Sequence, residues 1–375
     1  MRVPFFDRRR GDAAIEGELT EAFLRVVRSG QFILGQEVER FEQAAGAALG
    51  VPHALGVSSG TDALLVALMT LGVGRGDEVI CPAYTFFATA GSIARLGARP
   101  VFCDIDPRTY QIDPGSVAAH VGPRTKAIVA VHLFGQCADL EALSALGDWP
   151  MIEDAAQAFG ARLSDGQMAG SAGAFGCFSF FPTKNLAGFG DGGLVTTRSP
   201  VLLETARAIR SHGARVKHQH GRVGGNFRLD ALQAALLSVK LGRVEEGIRR
   251  RIAHAEAYGR GLGQAGLGEH LALPAATGAR ATFNQYVIRV HGPGRRDALR
   301  AFLAEHGVGT EIYYPVPLHR QACFADLGQG EGSLPASEAA ARETLALPIF
   351  PELTPAELDF VIDRIAGFFR APGER

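Results

Sequence analysis

From about residue 54 the chain alternates two hydrophobic periods. Short apolar runs at 54–57, 78–81, 100–104, 127–132 and 151–154 read as buried strands, and the segments 61–71, 89–96 and 140–145 are of helical length. Strand and helix in turn predict an α/β architecture, a mainly parallel sheet covered on both faces by helices. A further apolar run at 175–181 predicts another strand. The glycine-rich stretch 188–193 then leads straight into Leu194-Val195-Thr196-Thr197, which predicts a tight turn and a short antiparallel return strand. Asp230 stands at an N-cap position ahead of Leu232, Ala235, Leu236 and Val239, and predicts a capped helix over 231–241. Past residue 245 the pattern is helix-rich, with one strand at 285–290, a proline-punctuated stretch at 314–318 and a terminal helix from Thr354. The expected division is a large unit over 1–245, including an N-terminal arm, and a smaller C-terminal α+β unit over 246–375.

Composition agrees with two closely packed units: 375 residues, 47% hydrophobic and 21% charged, are enough for a large core. The net charge of −1 gives no global field for nucleic acid or an anionic membrane. Two basic runs, Arg8-Arg9-Arg10 and Arg249-Arg250-Arg251, are short and read as solvated helix faces. Five cysteines, at 81, 103, 137, 177 and 323, are an odd number without close pairing, which implies reduced, mostly buried thiols and a cytoplasmic protein. No zinc-type spacing, signal peptide or membrane span is visible, so no metal and no membrane partner is expected.

The chemistry centres on Lys184, one of only four lysines, the others being Lys126, Lys217 and Lys240. It follows the strand-like run 175–181, as Asp154 ends the run 149–154. Acid and amine therefore leave two strand ends, where open α/β sheets bind ligands. A pyridine cofactor with an aldehyde needs both: a carboxylate to keep its ring nitrogen protonated and a lysine to hold the aldehyde as a Schiff base. Ser58-Ser59-Gly60-Thr61-Asp62-Ala63 joins the first strand to a helix, and its free amides and the Thr61 hydroxyl could hold a phosphate. Taken singly, each feature has a plainer reading: the Ser/Thr turn as an N-cap, Asp154 as a strand-end carboxylate satisfied by a helix, Lys184 as a surface turn lysine. Together with Ser179 they make up the parts of a pyridoxal 5'-phosphate site. The 188–193 stretch lacks GxGxxG spacing and enters a strand, which excludes a dinucleotide loop.

Seven segments carry a resemblance: Ser59-Gly60-Thr61-Asp62-Ala63-Leu64, Pro82-Ala83-Tyr84-Thr85-Phe86-Phe87-Ala88-Thr89, Glu153-Asp154-Ala155-Ala156-Gln157-Ala158, Phe178-Ser179-Phe180-Phe181-Pro182-Thr183-Lys184-Asn185-Leu186, Gly190-Asp191-Gly192-Gly193, Gly225-Asn226-Phe227-Arg228-Leu229-Asp230 and Tyr313-Tyr314-Pro315-Val316-Pro317-Leu318-His319. In order and over nearly the whole chain they resemble the DegT/StrS sugar aminotransferases. The resemblance implies the aspartate-aminotransferase fold (fold type I) and a homodimer with active sites shared between subunits. It implies pyridoxal 5'-phosphate covalently held on Lys184, with pyridoxamine 5'-phosphate as an intermediate. Asp154 would pair with the ring nitrogen, Gln157 would lie near the phenolic oxygen, and Phe86 would stack on the ring. Gly60, Thr61 and Ser179 would hold the phosphate, completed by Asn226 of the other subunit. Arg228, Tyr314 and His319 are candidate contacts for substrate, although Arg228 could instead pair with Asp230 and His319 could cap a turn. Phe159 stands where many relatives carry histidine; retention of Lys184, which the group's dehydratases replace by histidine, favours transamination. The implied substrates are L-glutamate and a keto sugar on UDP or dTDP. A cyclitol or other ring ketone, a cofactor- or sugar-binding regulator without turnover, and a dimerising scaffold are the rival readings.

Overall fold

The alternating apolar runs assemble into one seven-stranded sheet in the computed structural model, which describes residues 1–216 and 218–370; Lys217 and residues 371–375 lie outside them. The strands are β1 (His53–Val57), β2 (Glu78–Pro82), β3 (Arg99–Cys103), β4 (Thr125–Val131), β5 (Met151–Asp154), β6 (Phe175–Ser179) and β7 (Gly193–Thr197), in the order β1-β7-β6-β5-β4-β2-β3. All run parallel except β7, which pairs antiparallel with both β1 and β6, as the glycine turn before it predicts. The predicted run 175–181 stops pairing at Ser179: Phe180 is buried, Phe181 is exposed, and the chain turns there toward Lys184.

Alternate residues of each strand feed two cores. One face packs on the helices Gly60–Thr70, Ala88–Arg95 and Pro200–Arg210. The other packs on Glu16–Ser29, Gln36–Leu49 and Ala231–Leu241. Burial on both faces is why these strands read as nearly continuous apolar runs. The last helix does follow Asp230, but the Asp230 side chain makes no capping hydrogen bond; the helix is fixed by its buried apolar face instead.

After the hairpin β8 (Ala214–Val216) and β9 (Gln219–His220), a third core forms from the helices Val244–Gln264, Arg295–Glu305 and Pro355–Arg370. They pack on a small antiparallel sheet of β10 (Leu271–Ala272), β11 (Tyr286–Val290) and β12 (Thr344–Leu347). Only β11 is visible in the sequence pattern. β10 is two residues long, and β12 follows the helix Pro335–Glu343 without a break. The division expected at 245/246 falls inside the helix Val244–Gln264.

Both arginine runs depart from the expected solvated faces. Arg251 is 3% exposed and donates to the carbonyls of Phe283 and Ile349, while Arg249 and Arg250 pair with Glu246. Arg8 donates to the Gly188 carbonyl and lies over the Phe189 ring, and Arg10 forms a two-pronged pair with Glu357. The N-terminal segment is thus tied both to the turn after Lys184 and to the last helix. Periodicity cannot show this, because the partners lie far away in sequence.

Candidate active site

The parallel strands deliver their following loops to one edge of the sheet. After β1, the Ser59 hydroxyl caps the helix Gly60–Thr70 by accepting from Asp62 N–H at 3.0 Å, so the capping reading of the turn holds for Ser59. Gly60 lies against Ser179 at the end of β6, and a Cβ on Gly60 would come within 2.7 Å of the Ser179 Cβ. That approach explains glycine at this position and brings two of the expected phosphate ligands side by side. Thr61 is half-buried in the first turn of the helix, where exposed amides and the dipole favour an anion. Ser179 Oγ accepts from Phe181 N–H at 3.2 Å.

Asp154 closes β5, the strand next to β6. It is 6% exposed; Oδ2 accepts from Thr89 Oγ1 at 2.8 Å and Oδ1 from Ala156 N–H at 3.3 Å. Burial pushes its carboxyl above the ordinary range, against the donations of Thr89 and Ala156 and the charge of Lys184. Lys184, half-buried in the turn after β6, is moved the other way: burial lowers its amine to about 8, opposed by the charge of Asp154. Each group therefore feels the other, and each is short of partners for its charged form.

A second layer comes from the loops after β2, β4 and β5. Gln157 Oε1 accepts from Phe134 N–H at 2.7 Å, and its Nε2 donates to the Tyr314 hydroxyl at 3.0 Å. The Tyr314 ring centroid is 6.1 Å from that of Phe86, whose side chain is 56% exposed and so presents a free aromatic face. Tyr84, fully buried, holds this segment in place: its hydroxyl donates to the Tyr313 carbonyl and accepts from Tyr314 N–H at 3.1 Å. Tyr314 is thus brought to Gln157 and Phe86 by a tyrosine that sequence reasoning passed over.

The remaining candidates lie apart from this group. Asn226 is exposed on a segment bridged to Ser211, and Arg228 follows, bridged to Val57 just before the phosphate turn. Arg228 makes no ion pair with Asp230 among the described residues, and its buried Nε has no partner there. His319 is 2% exposed with Nε2 at 3.2 Å from Glu338 Oε1, so it faces an acidic partner inside the fold rather than an open cleft. Phe159 is buried edge-on against Phe178 and Phe180. Thr89, Glu153 and His132 also belong to this edge and were missed. The tandem Glu153-Asp154 was the one available signal for Glu153.

These residues fit pyridoxal phosphate. An approach at Gly60 that leaves no room for a side chain, a buried carboxylate needing a cation, an amine held near neutrality and an exposed ring are complementary to phosphate, pyridinium, aldehyde and π face.

Comparison with known proteins finds similarity over nearly the whole chain. The family model described as the DegT/DnrJ/EryC1/StrS aminotransferase family matches residues 13–366. A "Pleiotropic regulatory protein" of Geobacillus stearothermophilus is 46% identical over 99% of both chains. The UDP-2-acetamido-2-deoxy-3-oxo-D-glucuronate aminotransferase of Pseudomonas aeruginosa is 40% identical over 96% of this chain and 98% of its own. Among solved structures, that of S. venezuelae DesV in complex with a ketimine intermediate superposes with a TM-score of 0.94, at 40% identity over 99% of both chains.

Proposed function

The chain belongs to the DegT/DnrJ/EryC1/StrS aminotransferase family, and from that premise we propose that it transfers an amino group from L-glutamate to a 3-keto or 4-keto hexose carried on UDP or dTDP. The observation that carries the reading is the pair Asp154, buried at the end of β5, and Lys184, half-buried in the turn after the adjacent β6, with acidities moved in opposite directions. Names of relatives support the substrate class: besides the Pseudomonas enzyme, several act on dTDP-linked amino sugars.

When bound, pyridoxal phosphate supplies an aldehyde that accepts the amino group and a ring that delocalises the electrons left at the donor's α-carbon. Asp154 keeps the proton on the ring nitrogen, and a cation opposite it relieves the cost of burying its charge. Lys184 would hold the aldehyde carbon, C4', and once released its amine would move a proton between the amino donor's α-carbon and C4'. Gly60, Thr61 and Ser179 would hold the phosphate, Phe86 would cover the ring, and Gln157 would lie near the phenolic oxygen. Tyr314, beside Gln157 and Phe86, and Arg228 would contact substrate; His319 would do so only if its pair with Glu338 opens.

The active unit is a homodimer in which Asn226 of each subunit completes the other's phosphate site. Its exposure, and the exposed apolar side chains Phe23, Phe32, Ile33 and Phe189, support this. Free cysteines, four of them buried, support a reducing, cytoplasmic setting.

The test is spectroscopic. The purified protein should be yellow and bleach with L-glutamate, and the aminated form should recover colour with one member of a panel of nucleotide-linked 3-keto and 4-keto sugars. Recovery only with a cyclitol ketone would move the substrate to that class. The regulatory name of the Geobacillus relative favours a second reading, binding without turnover; intact Lys184 and Asp154 weigh against it, and a protein that never bleaches would establish it. For the shared site, mixing Lys184→Ala with Asn226→Ala subunits should restore activity, because one site of each mixed dimer carries neither defect. A fully active monomer in ultracentrifugation would rule it out.

A further inference from the structure

Directly before Asp154, and on the opposite face of β5, lies a second carboxylate that the proposed reaction does not use. Glu153 is 0% exposed and accepts four hydrogen bonds: from His132 Nε2 at 2.8 Å, Gly170 N–H at 2.7 Å, Ala172 N–H at 2.8 Å and Gly173 N–H at 2.7 Å. His132, also 0% exposed, follows β4; its Nδ1 accepts from Ala138 N–H at 3.0 Å, which leaves the ring proton on Nε2, aimed at Glu153. The backbone N–H of His132 donates to the carbonyl of Asp154 itself at 3.0 Å.

We propose that Glu153 and His132 are positioning residues that fix Asp154 for the ring nitrogen. The pair holds the end of β4, the end of β5 and the 170–173 loop in one buried cluster. That loop is tied further to β7, whose Thr196 hydroxyl donates to the Gly170 carbonyl at 2.5 Å. With the flanking segments immobile, Asp154 has little freedom at the one strand end where it must meet its partner. A buried carboxylate is an expensive fastener unless every lone pair is used, and here four donors are spent on it. Leucine or methionine would fill the space but would leave three backbone N–H groups and the imidazole without acceptors. Burial works against its charge, yet His132 and the backbone of Gly170 and Gly173 keep the Glu153 carboxyl below its ordinary range.

The inference rests on the assignment of Asp154 to the ring nitrogen, and Asp154→Asn tests that assignment separately. The experiment compares holoenzyme of Glu153→Gln, His132→Gln and His132→Asn. Glutamine at 132 can keep the Nε2 donor to Glu153, whereas asparagine can keep only the acceptor for Ala138. The readouts are the pH midpoint of the cofactor absorbance change, the dissociation constant for pyridoxal phosphate from apoprotein, and the half-reaction rate with glutamate. Glu153→Gln and His132→Asn should shift the midpoint by about half a pH unit or more and slow the half-reaction roughly tenfold, as a misplacement well under 1 Å does. His132→Gln should stay within about twofold of wild type on the same scale. Should Glu153→Gln fail to fold, the two His132 variants carry the comparison. A lowered Tm with unchanged midpoint, cofactor affinity and rate in the soluble variants would overturn the proposal and leave Glu153 a purely structural anchor. If Asp154→Asn too leaves the absorbance unchanged, the fault lies in the ring-nitrogen assignment.

Discussion

The two faces of β5 carry consecutive carboxylates in contrasting surroundings. On one face Glu153 accepts four hydrogen bonds, three of them from backbone N–H groups, and is held below its ordinary acidity range. On the other, Asp154 accepts one short bond from Thr89 and a longer one from Ala156, and burial raises it. The fold can therefore satisfy a buried carboxylate completely at this depth, and does so one residue away. Asp154 is left short of donors on the face that also receives Lys184, and an under-solvated anion facing an under-solvated amine is a site arranged for a third charged or polar group. Hydrogen-bond supply thus distinguishes the two carboxylates more clearly than burial does, since both are buried.

The largest effect should come from removing the amine on the open face. Lys184→Ala should lower turnover by roughly four orders of magnitude or more, since Schiff-base formation and the proton shuttle are both lost, while the melting temperature stays near wild type. Borohydride should fix cofactor to the wild-type peptide containing Lys184, and an adduct on Lys126, Lys217 or Lys240 would undo the assignment.

Asp154→Asn should keep the cofactor but lose activity at least on the order of a hundredfold, because an amide hydrogen-bonds without holding the ring nitrogen protonated. Near-wild-type rates would reduce Asp154 to another anchor and erase the contrast.

On the filled face, Glu153→Gln should cost stability of about 2 kcal/mol in denaturant unfolding, since its single carbonyl oxygen cannot serve both the Ala172 and Gly173 pair on Oε1 and the His132 and Gly170 pair on Oε2. The sign with pH follows from a carboxyl held below its unfolded value of 4.5: the wild-type advantage is full above that value and is lost as pH falls through the lower folded one. An advantage that persists in acid would show the difference to be packing rather than charge.

The smallest effect concerns the rate at which apoprotein takes up pyridoxal phosphate. Below about 8 the Lys184 amine is protonated and cannot attack the aldehyde, so stopped-flow uptake should rise close to tenfold per pH unit and level off above that value. A plateau reached only near the ordinary lysine value would mean that burial does not tune the amine.

Much of this site is legible in one dimension because its parts sit in short, ordered segments. Asp154 and Ser179 end a strand, Gly60 and Lys184 follow one, and strand ends of a parallel sheet converge by topology alone. Strand existence, the antiparallel return and the helical faces follow from hydrophobic period. The small sheet was mostly hidden, because two-residue β10 and helix-abutting β12 carry too little period to be seen.

Partner choice was hidden for a different reason. That Arg251 is buried against carbonyls rather than solvated, that Arg8 reaches Gly188, that Tyr84 holds Tyr314 and that His319 faces Glu338 all depend on segments far apart in sequence. What the amino-acid order determined alone was the chemistry of each side chain and the local period that places it on a strand, a helix or a turn. Only the packed structure decided which of two adjacent carboxylates would be satisfied and which left wanting, because hydrogen-bond supply and desolvation are set by neighbours brought in from other strands and loops.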